Sequence, residues 1–133
     1  MSSSSSPAPA LLQDLRLGEN RIGDSGLIAL SDTIGSGRLS YLRQLHLEAN
    51  RIGDAGLVAF SGTIARGALD DLKQLNLRGY AACQQGFDAL ASALGRGALA
   101  SLTDLYLGIG DIAEPARTTI EAAVAKRNIP VDV

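Results

Sequence analysis

The chain predicts a right-handed α/β solenoid: a parallel β-sheet on the concave side, helices on the convex side, and four repeats bent into an arc. Three observations predict it. A leading leucine returns at Leu12, Leu42, Leu72 and Leu102 without slippage. Behind each leucine lies a short segment of alternating apolar and polar residues, the period-2 signature of a half-buried strand. Behind each strand lies an apolar stripe at helical spacing. A strand–helix unit this short cannot bury its apolar face alone, so equal phase makes the units stack on one another with parallel strands. Right-handed crossovers then put every helix on one side of the sheet.

In order, Met1 to Ala10 is a Ser/Pro/Ala segment with almost nothing to bury, expected to form a disordered tail ahead of a repeat domain over 11–133. The units run 12–41, 42–71, 72–101 and 102–131. The first two agree at more than half their positions and share Asn-Arg-Ile-Gly-Asp at 20–24 and 50–54. In the second unit Leu45 and Leu47 alternate with Gln44, His46 and Glu48. Leu57, Phe60 and Ile64 then share one helix stripe, as do Leu27, Leu30 and Ile34, and Phe87, Leu90 and Leu94. Asp24 and Asp54 are expected as N-caps of the helices they precede. Gly37, Gly67 and Gly97 fall where a left-handed C-terminal cap would end each helix. Leu39, Leu69 and Leu99 return the chain toward the next strand.

The third unit carries Tyr80, Ala82 and Cys83 where the first two have Asn, Ile and Gly. The fourth keeps Leu105, Leu107 and Ile112 but has Gly110 at the asparagine position, so less regular turns are expected after strands three and four. Its helix carries Ile120 and Val124 on the stripe, with Pro115 at the start and Arg117 replacing the leading apolar residue. An arginine there implies a partly open face, as in a capping unit. Asn128-Ile-Pro-Val-Asp-Val matches the start of a fifth strand, with Pro130 and Asp132 blunting its edge. No equivalent device guards the first unit.

Composition narrows the function classes. Three tyrosines, two phenylalanines and no tryptophan make the core aliphatic. A net charge of −2, with basic residues scattered, gives no footprint for nucleic acid or an anionic membrane. The single cysteine excludes an intramolecular disulfide framework and suits a reducing, cytoplasmic compartment. No secretory leader or membrane-spanning run is read.

The pattern Leu-x-x-Leu-x-Leu-x-x-Asn-x-Ile-Gly-Asp-x-Gly-Leu resembles the leucine-rich repeat, in the long subtype found in ribonuclease inhibitor. Similar units occur in Ran GTPase-activating proteins and in the receptor end of NOD-like immune sensors. The resemblance covers residues 12 to about 127. It implies an asparagine ladder of side-chain hydrogen bonds between units, which only Asn20 and Asn50 can supply here.

Outward positions on the expected sheet form columns: Arg16, His46, Asn76 and Tyr106; Gly18, Glu48, Arg78 and Gly108; Asp14, Gln44, Gln74 and Asp104. Tyrosine and arginine are frequent binding anchors. The candidate protein-binding surface is therefore Arg16, His46, Glu48, Asn76, Arg78, Asp104 and Tyr106. His46 with Glu48 is the one pairing that could do acid–base work. No nucleophile is expected beside it and an open sheet excludes little water, so no catalytic residues are assigned. Cys83, without a second cysteine or a histidine at ligand spacing, is read as a turn or packing residue, and no metal or cofactor is expected. Gly108-Ile-Gly110 lacks the rest of a phosphate loop. The leading function is a non-catalytic module that binds a protein partner on its concave face. The alternatives are self-association through the uncapped first unit, a fragment of a larger NOD-like-receptor-type protein, and a regulator of a small GTPase.

Overall fold

A computed structural model describes residues 12–78, 84–107, 112 and 114–130. Expectations for the Ser/Pro/Ala tail, for Tyr80, Ala82 and Cys83, for Gly108 and Gly110, and for the last strand residues 131–133 lie outside the described residues. Strands and helices alternate: β1 (Asp14–Arg16), α1 (Gly23–Gly35), β2 (Gln44–His46), α2 (Asp54–Ala65), β3 (Gln74–Asn76), α3 (Gln84–Gly95), β4 (Asp104–Tyr106) and α4 (Ala116–Ala125). The strands form one parallel sheet in sequence order. Their register matches the repeat, with Leu15 beside Leu45, Leu45 beside Leu75 and Leu75 beside Leu105. The helices stack in the same order, each against the next. Strands stack about 4.8 Å apart and helices about 8–10 Å apart, so the layer curves and the sheet takes the concave side.

The core runs between the two layers. Leu42, Leu45, Leu47, Ile52, Leu57, Phe60 and Ile64 of the second unit are all fully buried. Leu72, Leu75, Leu77, Phe87, Leu90 and Leu94 of the third unit are buried likewise, and in the fourth Ile120 and Val124 are buried as the stripe requires. Arg117 is half-buried and bridges to Glu114 at 3.1 Å, while Ala116 fills the core position beside it. The first unit is looser: Leu12 is 44% exposed where Leu42 is 0%. Leu15, Leu17, Ile22 and Leu30 are only partly buried.

Helix ends follow the glycines. Gly37, Gly67 and Gly97 have φ of +87°, +94° and +96°. Each donates its N–H to the carbonyl three residues back, Ile34, Ile64 and Leu94. Leu69 and Leu99 are also left-handed, at φ +60° and +54°, a strained state for a branched side chain that is held by burial of both leucines.

Helix starts correct the sequence expectation. Asp24 and Asp54 do not cap their own helices. Asp24 lies inside α1, and its Oδ1 accepts from Gly53 N and Gly56 N, each at 2.8 Å, at the start of α2. Asp54 Oδ1 accepts from Gly86 N at 2.8 Å at the start of α3. The physical reason is position: a carboxylate already within the first helical turn points sideways, to the neighbouring helix rather than back along its own. This closeness requires glycine. A Cβ on Gly56 would lie 2.6 Å from Asp24 Oδ1 and 3.1 Å from its Cα. In the third unit Gln84 takes the aspartate's place and bonds Asp88 within its own helix. In the fourth, Glu114 turns to its own helix, accepting from Thr118 N at 3.1 Å. Hydrogen bonds from Thr118 and Arg117, with the charge of Arg117, hold its carboxyl below the ordinary 4.5.

Asn50 is the second inter-unit link. It is fully buried, its Oδ1 accepting from Asn20 N at 3.1 Å and its Nδ2 donating to Leu17 O at 2.7 Å and Leu47 O at 3.0 Å. Asn20 is exposed and bonds Leu17 O and Gly18 O within its own unit. Removing Asn50 leaves several backbone groups buried and unpaired, so Asn50→Ala should cost about 3 kcal/mol and Asn20→Ala under about 1 kcal/mol, by urea denaturation. In the same assay Gly56→Ala should destabilise by about 1–3 kcal/mol, through the clash with Asp24. Gly62→Ala, with nothing within 4 Å of the added Cβ in the middle of α2, should stabilise by about 0.5–1 kcal/mol.

Candidate functional site

On each strand the central leucine points to the core, so its two neighbours point away from the helices. The register then lines up three of the expected columns or their described parts. Arg16, His46, Asn76 and Tyr106 form one row across four strands, and Asp14, Gln44, Gln74 and Asp104 a second. Glu48 and Arg78 follow two residues beyond His46 and Asn76, joined through Ala49 N donating to Arg78 O at 2.9 Å. All seven candidate residues thus lie on the helix-free face. His46, Glu48, Asn76, Asp104 and Tyr106 are half-buried, while Arg16 and Arg78 are exposed.

At the β1 end the charges engage one another. Arg16 Nε donates to Asp14 at 3.1 Å, and His46 Nε2 lies 3.9 Å from Asp14 and 3.4 Å from Gln44 Oε1. An ion pair this open contributes at most about 1 kcal/mol, so it orients Arg16 more than it stabilises the fold. His46 thus turns toward the Asp14 row. Among the described residues no hydrogen bond joins it to Glu48, so the one pairing that hinted at acid–base chemistry is not assembled.

Glu48 goes elsewhere. Its carboxylate lies over the backbone of Gly18, where an added Cβ would meet Cδ at 2.5 Å. The missing side chain at position 18 is what admits it. Oε1 is shielded from solvent and has no hydrogen-bond donor among the described residues. A carboxylate oxygen in that state is costly and gains from any N–H brought to it. Further along, Asn76 Oδ1 accepts from Arg78 N at 3.1 Å, which fixes the backbone at the end of β3. Among the described residues no cluster of histidine, cysteine, aspartate and glutamate could hold a metal ion. No helix among them is long and apolar enough to cross a membrane. The face can offer charges, amides and a phenol to another molecule in a fixed array.

The family model for the Leucine Rich repeat matches residues 9–31 and 38–61. The likeness is to those two segments. The matched segments are the first two units, whose Asn-Arg-Ile-Gly-Asp blocks hold the inter-unit bonds described above. The third and fourth units repeat the register while departing at the asparagine and aspartate positions. No curated protein matches the chain.

Sequence reasoning missed two residues that organise the repeats. The reach of Asp24 to the next helix was signalled by the glycine two positions later, Gly26, Gly56 and Gly86, a spacing with no purpose if the aspartate capped its own helix. Arg127, half-buried, donates from Nη1 to Leu94 O and Ala98 O and from Nη2 to Leu99 O, tying the fourth unit to the third. Only its place opposite three glycines, Gly37, Gly67 and Gly97, marked it out.

Proposed function

We propose that the protein is a non-catalytic interaction module that binds a protein partner on the concave, helix-free face of its sheet. The observation that carries the reading is Glu48: a shielded carboxylate oxygen with no donor among the described residues, set between Gly18 and the exposed Arg78 on a face of polar side chains. Arg16, His46, Asn76 and Tyr106 flank it on one side, Arg78 and Asp104 toward the fourth strand. Leucine-rich repeats are generally protein-interaction modules, which supports the class of partner. The array sits on strands fixed by the core, so little conformational entropy is lost when a partner docks. The single cysteine favours a reducing, cytoplasmic setting.

Immobilised protein should retain a defined set of proteins, identified by mass spectrometry. Arg78→Ala with Tyr106→Ala should lower the retained amount at least about tenfold, the loss of two anchors. Val58→Ala on the exposed side of α2 should leave it unchanged. Equal retention by all three proteins would place the binding surface elsewhere.

A second reading, self-association, is favoured by the half-buried apolar residues of the first unit and by the outer edge of β1, which pairs with no further strand among the described residues. Light scattering should then give an average mass that rises with concentration. A mass that stays at the monomer value removes this reading.

A further inference from the structure

Along β1 the backbone bonds to β2 come from odd-numbered residues. Gln13 O accepts from Arg43 N and Gln44 N, Leu17 N donates to His46 O, and just past the strand Glu19 N donates to Glu48 O. Backbone groups alternate in direction along a strand, so Asp14 and Arg16 turn their N–H and C=O groups to the other side, where no strand lies among the described residues. Apolar cover is thin at the same place. Leu12 is exposed and Leu15, Leu17 and Ile22 are only partly buried, whereas their second-unit counterparts Leu42, Leu45, Leu47 and Ile52 are fully buried. Met1 to Ala10 carries one large apolar side chain, Met1, too little to stand in for a neighbouring unit.

An antiparallel pair of identical edges has two-fold symmetry and closes on itself, where a head-to-tail contact would go on adding copies. In such a pair, residues that face the edge must lie opposite residues that face the edge. For the short β1 this leaves three centres. With Asp14 on the axis, the two Asp14 carboxylates meet. With Arg16 on the axis, the two guanidinium groups meet. With Leu15 on the axis, Asp14 lies opposite Arg16 of the second copy and Arg16 opposite its Asp14, so two opposite-charge pairs form. Both side chains stand on the concave face, 39% and 70% exposed, and 3.1 Å apart within one chain, so neither is buried in a contact it would have to leave. The two Leu15 residues then meet as a non-hydrogen-bonded pair, with Cα atoms about 4.5 Å apart and side chains covering each other on the helix side. The two sheets join with their polar rows on one side.

We propose that the chain forms a two-fold dimer by antiparallel pairing of β1 with β1 of a second copy, centred on Leu15 and selected by the Asp14–Arg16 pairs. This interface rests on the self-association reading and gives it a register. Sedimentation equilibrium of the full chain, up to millimolar concentration, reads the dimer dissociation constant, and far-UV circular dichroism checks that each variant keeps the fold. Asp14→Arg alone sets arginine opposite arginine across the axis, and Arg16→Asp alone sets aspartate opposite aspartate. Each should weaken the dimer about tenfold, or about 1.4 kcal/mol. Asp14→Arg combined with Arg16→Asp restores opposite charges only in the Leu15 register, and should return the constant to within about threefold of the unaltered chain. A dimer that neither single variant weakens, or that the combined variant leaves as weak as the single ones, overturns this register and leaves self-association standing. An unaltered chain that is monomeric throughout removes both.

Discussion

Side-chain oxygens that satisfy the backbone of the next or previous unit are the interaction on which this fold depends. Every helix start leaves N–H groups without an intrahelical partner. In this chain those at the starts of α2 and α3 are met from outside the unit, by Asp24 and Asp54. Asn50 does the same for the turn after β1. Each bond spans one unit of sequence, so it forms only when neighbours are stacked in phase. Hydrophobic burial drives the units together without choosing a register, and these directional bonds choose it.

The contrast between the first two helices shows the effect. Gly56 N bonds Asp24, and Gly53 is extended, so α2 begins at Asp54. The equivalent Gly26 N bonds Ile22 O in its own turn, and α1 begins one position earlier, at Gly23. At the other end Glu114 caps its own helix and Arg127 clamps α3 from behind. Interior units are thus finished by their neighbours, and the fourth partly finishes itself. A sheet held in this way presents its outward rows as a rigid array, which is what a binding face built from separate strands requires.

Much of this was legible in the sequence. The invariant 30-residue phase dictated the strand order and the register, and the alternation around Leu45 told which residues face outward. The C-terminal glycines were readable because positive φ excludes most other residues. Less visible was the direction in which a side chain acts. An aspartate before a helix reads as that helix's own cap, and only the glycine two residues later, seen as a clearance for a carboxylate, points to the neighbour. His46 and Glu48 look paired because they share a strand face. In space His46 turns to Asp14 and Glu48 to the gap at Gly18, since each settles against the adjacent strand rather than along its own. Spacing gives the face of a residue, and its partners come from the units on either side.

The most direct test of this account is a through-hydrogen-bond NMR coupling between the amide nitrogen of Gly56 and the side-chain carboxyl carbon of Asp24. A resolved coupling is predicted, together with slow exchange of the Gly56 amide proton. A Gly56 amide coupled instead to the carbonyl of Ile52, in the manner of Gly26 and Ile22, would mean that each helix completes its own start and that the stacking bonds are not what sets the phase.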